Sequence, residues 1–110
     1  MAQYVTLELT AHLSQAVDNA LWAIIGQDAT TAVYRIVEKR FLLEKNEVPL
    51  RLETFSKALF TLFGQQASNM IDKEIAKEFC RRTGIRFDPK ANLTTATYTA
   101  YVNYAHKFQK

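Results

Sequence analysis

Apolar residues recur along this chain at spacings of three and four, which places them on one face of a helix. The first stripe runs Leu9, Leu13, Val17, Ala20, Leu21 and Ile24, and it stops at Gly26, a residue that accepts the left-handed backbone in which helices end. A second helix is expected from near Asp28, an N-cap that also complements the helix dipole, with Ala29, Val33, Ile36, Val37 and Phe41 turned inward. Residues 44–49 read as a connector, because Pro49 has no amide hydrogen and biases Val48 away from helical geometry. A third helix is expected over 52–63, with Leu52, Phe55, Leu59 and Leu62 inward, and Gly64 closes it. The fourth, over 66–83, carries Ala67, Met70, Ile71, Ile75 and Phe79 before Gly84.

Beyond Gly84, Ile85 and Phe87 bracket a short extended piece, and Asp88-Pro89 supplies an N-cap and a first-turn proline for a fifth helix over about 90–109. The main stripe of that helix is Leu93, Thr97, Ala100, Tyr101, Tyr104 and Phe108; Tyr98, Val102 and Ala105 form a second one beside it. A helix apolar over so much of its surface must bury more than one side, in its own bundle or against a partner. Tyrosine suits a partner surface, since it gives a large contact area with a polar tip.

Shifting the chain by 38 positions lays 20–41 on 58–79 without a gap. Seven pairs are identical: Ala20/Ala58, Leu21/Leu59, Gly26/Gly64, Gln27/Gln65, Ala29/Ala67, Lys39/Lys77 and Phe41/Phe79. Amphipathic helices share apolar spacing by chance, so the matched Gly-Gln-x-Ala corner is the informative part. The expected fold is therefore all-α: a single domain over 1–110, forming a compact five-helix bundle. Its core would be a helix-Gly-helix unit used twice, over about 9–41 and 52–83, with approximate two-fold symmetry and each unit covering the other's apolar face. The small Ala29 and Ala67 would let the helices of each unit approach closely, and Gly26, Gly64 and Gly84 are the structural corners.

Bulk composition agrees with one helical domain. In 110 residues, 48% are hydrophobic and only 3 Gly and 2 Pro interrupt the chain, leaving the long runs that helices need. The lone Cys80 cannot pair internally, which favours a reducing compartment, and the cytoplasm is the expected location. The first Lys or Arg is Arg35, so no secretory signal is expected. No run approaches the roughly 18 apolar residues of a membrane span. The formal charge of +3 is uneven, because Arg81, Arg82, Arg86, Lys90, Lys107 and Lys110 face only Asp88 in the last third.

The run Leu21-Trp22-Ala23-Ile24-Ile25-Gly26-Gln27, then a helix, a proline-bearing connector, Phe55, Leu59 and Leu62-Phe63-Gly64-Gln65-Gln66-Ala67, resembles the Nitrosopumilus output domains. These are small archaeal helical domains found alone or attached to signalling modules. The resemblance covers about 21–87 and rests on two glycines in an apolar frame. It implies a regulatory or output module that contacts protein, with ring-forming signalling ATPases as one partner class, and it carries over no catalytic residue.

The residues themselves are poor in chemistry. His12 and His106 sit at opposite ends, so no nucleophile, base and orienter are expected to converge. Cys80 lies beside Arg81 and Arg82 but is expected to be a small buried hydrophobe. No Cys-x-x-Cys or His-x-x-x-His pair provides metal ligands, and Asp72, Glu74 and Glu78 are interleaved with Lys73 and Lys77. Gly26 and Gly64 stand singly, unlike the glycines of phosphate loops. No catalytic residue, metal or cofactor is expected. The expected function is a non-enzymatic module that binds another protein through Tyr98, Tyr101, Val102, Arg81 and Arg82, with a homodimer as one form of that contact. The alternative is a nucleic-acid-binding regulator using Arg35 and Lys39 on the second helix, Lys73, Lys77 and Arg81 on the fourth, and the basic last third.

Overall fold

The computed structural model describes the backbone of residues 2–90 and 92–107, and the side chains of residues 7–90, 92–94, 96–100 and 102. Helix α1 spans Ala2–Phe41, a 3-10 helix spans Lys45–Leu50, α2 spans Leu52–Thr83 and α3 spans Leu93–Lys107. No strand occurs among the described residues. The radius of gyration is 13.8 Å, close to the roughly 13 Å of a folded domain of about this length.

Five separate helices were expected, and the described residues form three α-helices and one 3-10 helix. The difference arises at the glycines, where one residue interrupts each long helix and the helical pattern resumes at once. Gly26 has φ 86 and ψ 171 inside α1, and Gly64 has φ 85 and ψ 174 inside α2. These are not the left-handed helical values expected of a helix stop. They fall in the region of positive φ and extended ψ that is essentially reserved for glycine. Gly84, at φ 75 and ψ 13, does adopt the left-handed conformation and caps α2, and the Ile85 amide donates to the Cys80 carbonyl at 3.1 Å.

Each break folds its helix back on itself, and polar bridges record the return. Tyr34 Oη donates to Asp18 Oδ1 at 2.6 Å, and Ser56 Oγ donates to Asp72 Oδ1 at 3.2 Å. Asp18 and Tyr34 flank Gly26 symmetrically, as Ser56 and Asp72 flank Gly64, and a shift of 38 carries one pair of positions onto the other. The small residues packed behind the corners are not the expected alanines, since Ala29 is exposed and Ala67 half-buried. Thr30 and Ser68, one position later, are the buried ones. Their hydroxyls can enter the core because each donates to a corner carbonyl: Thr30 to Gly26 at 2.7 Å and Ser68 to Gln65 at 3.1 Å.

The core draws Leu9, Leu13, Val17 and Leu21 from before the first break, Val33 and Val37 after it, Phe55 and Leu59 before the second, and Ile71, Ile75 and Phe79 after it. Ile36 and Met70, expected inward, are exposed. Each is the chain neighbour of a buried residue, Val37 and Ile71, and a step of one residue along a helix turns the side chain by about 100°. Between the two long helices the rings of Tyr34 and Phe55 stack at 6.4 Å, and Asn19 Nδ2 donates to Glu78 Oε2 at 2.8 Å.

The connector is more ordered than expected. Val48 and Pro49 are buried in the 3-10 helix, and the Glu44 amide donates to Glu47 Oε1 at 3.0 Å. Helix α3 begins later than Asp88-Pro89 suggested. Asp88 Oδ1 accepts the Lys90 amide at 2.9 Å, which closes a local turn, and the first helical acceptor is the Asn92 carbonyl, bonded by the Ala96 amide at 3.0 Å.

Candidate partner-binding surface

Helix α3 is held by one stripe and presents another. Leu93, Ala96, Thr97 and Ala100 are buried, at the spacing of a single helical face. Thr97 is tolerated there because its hydroxyl donates to the Leu93 carbonyl at 2.8 Å. Tyr98 and Val102, four residues apart, point outward at 71% and 40% exposure. The second apolar stripe is thus not consumed by the bundle at these two positions. The side chain of Tyr101 lies outside the described residues, as do those of Tyr104, Ala105 and His106, while Phe108 lies outside them altogether.

Beside Tyr98 a cleft of about 520 Å³ opens between α3 and the start of α2; Leu50, Arg51, Glu53 and Thr94 are among its lining residues. Leu50 is 64% exposed there. Arg51 Nη1 donates to the Leu42 carbonyl at 3.3 Å, and Leu42 is itself 79% exposed at a φ of 52. Neither leucine stood out in the sequence, since an apolar residue in a connector carries no periodicity to say whether it is covered. The matched pair Trp22 and Phe60, at 52% and 54% exposure, was equally concealed, because each directly follows a buried leucine, Leu21 or Leu59.

The two arginines assigned to partner contact lie elsewhere, and the cleft at Tyr98 does not include them. Arg81 forms a two-point pair with Glu78, Nε to Oε1 at 2.9 Å and Nη2 to Oε2 at 2.7 Å. Arg82 is half-buried, and its Nε has no hydrogen-bond partner among the described residues. The hydrogen bonds from Arg81 hold the Glu78 carboxyl down at about 2 despite partial burial, with help from Asn19. A carboxylate with a depressed pKa stabilises the fold above its unfolded value and loses that contribution as pH falls through its folded value. Glu78→Gln should therefore melt lower than wild type at neutral pH by the equivalent of about 1 kcal/mol, a surface-pair magnitude. The gap should close between the ordinary glutamate range and about pH 2. Thermal melts of both proteins across that window check it, and a constant gap would remove Glu78 as the source.

The basic stripes are partly neutralised. Lys77 pairs with Glu74 at 3.5 Å and lies 5.8 Å from the Phe87 ring centre, and Arg81 is engaged as described. Lys73 and Lys90 share a second cleft with Asp72, whose carboxyl burial pushes upward while the Ser56 hydroxyl opposes the shift. Cys80 is buried and its thiol is pushed up by that burial, away from the thiolate a nucleophile needs. Among the described residues no three His, Cys, Asp or Glu side chains converge as metal ligands, and no helix is long and apolar enough to cross a membrane.

No family model matches the chain, and no curated protein or solved structure matches it either.

Proposed function

We propose that this chain is a non-enzymatic regulatory or output module that binds another protein through the outer face of α3. The observation that carries this is the pair Tyr98 and Val102, left exposed on a helix anchored through Leu93, Ala96, Thr97 and Ala100. A large aromatic side chain held on a rigid helix is the kind of residue that dominates protein interfaces. The resemblance to the Nitrosopumilus output domains adds a ring-forming signalling ATPase as one class of partner, and the lone Cys80 favours a cytoplasmic setting. The scaffold is, on this proposal, a duplicated helix-Gly-helix unit. Nearly equal backbone angles at Gly26 and Gly64 support that, as do the two matched bridges across the corners. Nucleic acid is the weaker alternative, because Lys77 and Arg81 already face carboxylates.

Capture on immobilised protein tests the proposal. Wild type should retain specific protein partners, and Tyr98→Ala, Tyr101→Ala or Val102→Ala should release them. Because Tyr98 is exposed, Tyr98→Ala should leave stability within about 0.5 kcal/mol of wild type. Unchanged capture by all three variants would refute the assignment. Tight binding to duplex DNA that falls steeply with added salt would favour the alternative instead.

A further inference from the structure

Three highly exposed apolar residues are linked to one arginine. Leu50 precedes Arg51 in the chain, Tyr98 lines the same cleft, and the Leu42 carbonyl accepts the Arg51 guanidinium, with the three side chains at 64%, 71% and 79% exposure. Leu42 follows the end of α1 at a φ of 52, in a position where glycine or asparagine is the usual occupant. An apolar residue held there, against local preference and largely in water, is accounted for when a second surface covers it.

We infer that this surface is a second copy of the same chain, docked about a two-fold axis so that Arg51 of each copy faces Glu53 of the other. The inference rests on the protein-binding reading of the α3 face. Its first argument is charge. Arg51 and Glu53, one cation and one anion two positions apart at the start of α2, both line the cleft and are exposed. A strongly acidic or strongly basic partner meets its own sign at one of them. A two-fold copy meets the opposite sign at both. The second argument is shape. One surface holds both a cleft of about 520 Å³ and an outstanding tyrosine on its rim. Each copy therefore provides the side chain that enters the other's cleft, as a self-complementary interface requires.

Sedimentation velocity of the full chain, from micromolar to submillimolar concentration, tests this. Wild type is expected to dimerise. Arg51→Glu alone and Glu53→Arg alone should each weaken the dimer by roughly tenfold or more, since like charges then face across the axis. An equimolar mixture of the two variants should associate again as a heterodimer, because an acidic rim then faces a basic one. Should either variant lose its cooperative melt, Leu50→Lys, at an exposed site, replaces it with the same expected weakening. A wild type that stays monomeric throughout overturns the inference. So does a dimer indifferent to these substitutions, or a mixture no stronger than its components. A monomeric wild type that still loses protein capture on Tyr98→Ala removes the second copy alone and leaves the α3 face as the binding surface. Unchanged capture together with unchanged dimerisation in Tyr98→Ala removes both.

Discussion

Alanine at both Gly26 and Gly64 should lower the free energy of unfolding by about 2–6 kcal/mol, from about 1–3 kcal/mol at each strained position. For a domain whose whole stability is on the order of 5–15 kcal/mol, that is enough to leave it partly unfolded at ambient temperature. The cost does not come from crowding, because a Cβ at either glycine would meet nothing within 4 Å. It comes from the backbone of the substituted residue itself, at φ 86 and φ 85 with ψ near extended. Valine should be worse than alanine, its branched Cβ being still less tolerant of positive φ. D-alanine, the mirror-image residue, occupies those angles as comfortably as an L-residue occupies ordinary extended backbone, so synthetic protein carrying it should melt near wild type. Denaturant unfolding of the four proteins decides the matter. An L-alanine double variant with wild-type stability would mean that the helices do not turn at these glycines as described.

Phe55→Ala should cost about 3–5 kcal/mol, the usual range for removing a buried aromatic ring. Phe55 is wholly buried, and its ring lies 6.4 Å from that of Tyr34 on α1, at an interplanar angle of 24°. Its loss therefore opens a cavity between the two long helices and not within one of them. Phe60 is the control: it is on the same helix but 54% exposed, and Phe60→Ala should stay within about 0.5 kcal/mol of wild type. Melting temperatures separate the two readily, since 1 kcal/mol moves the midpoint by roughly 4–8 °C in a domain near this size. Equal losses at both positions would contradict the burial pattern.

Helical class, the two glycine breaks and most of the core were legible in the sequence, because they follow from spacing alone. Leu9, Leu13, Val17 and Leu21 repeat at four-residue steps, and all four are buried. Apolar identity without phase was the first source of error. Ile36 and Met70 look like core residues beside Val37 and Ile71, but the side chain one step along the helix is turned by about 100° and here falls outside the buried stripe. Polar identity was the second. Thr30 and Ser68 belong to none of the apolar stripes, yet each enters the core because a corner carbonyl accepts its hydroxyl proton. The start of α3 was misplaced for a similar reason, as Asp88 spends its carboxylate on the Lys90 amide in a turn.

The binding surface was half legible. Tyr98 and Val102 announced themselves as a second stripe on a helix already supplied with one. Leu42, Leu50 and the cleft did not, since their exposure depends on how the chain between α1 and α2 packs. Arg81 and Arg82 were drawn in by charge counting, which cannot see that Glu78 already occupies the Arg81 guanidinium at two points.

The central claim is that two glycine-broken helices share one core and so leave the outside of α3 free for contact. Nuclear Overhauser effects between the ring protons of Tyr34 and Phe55 in isotope-labelled protein test it most directly, because these rings come from different long helices. Strong cross-peaks between the two rings are predicted. A helical protein in which Tyr34 shows contacts only to its own helix, with none to Phe55, would contradict the account.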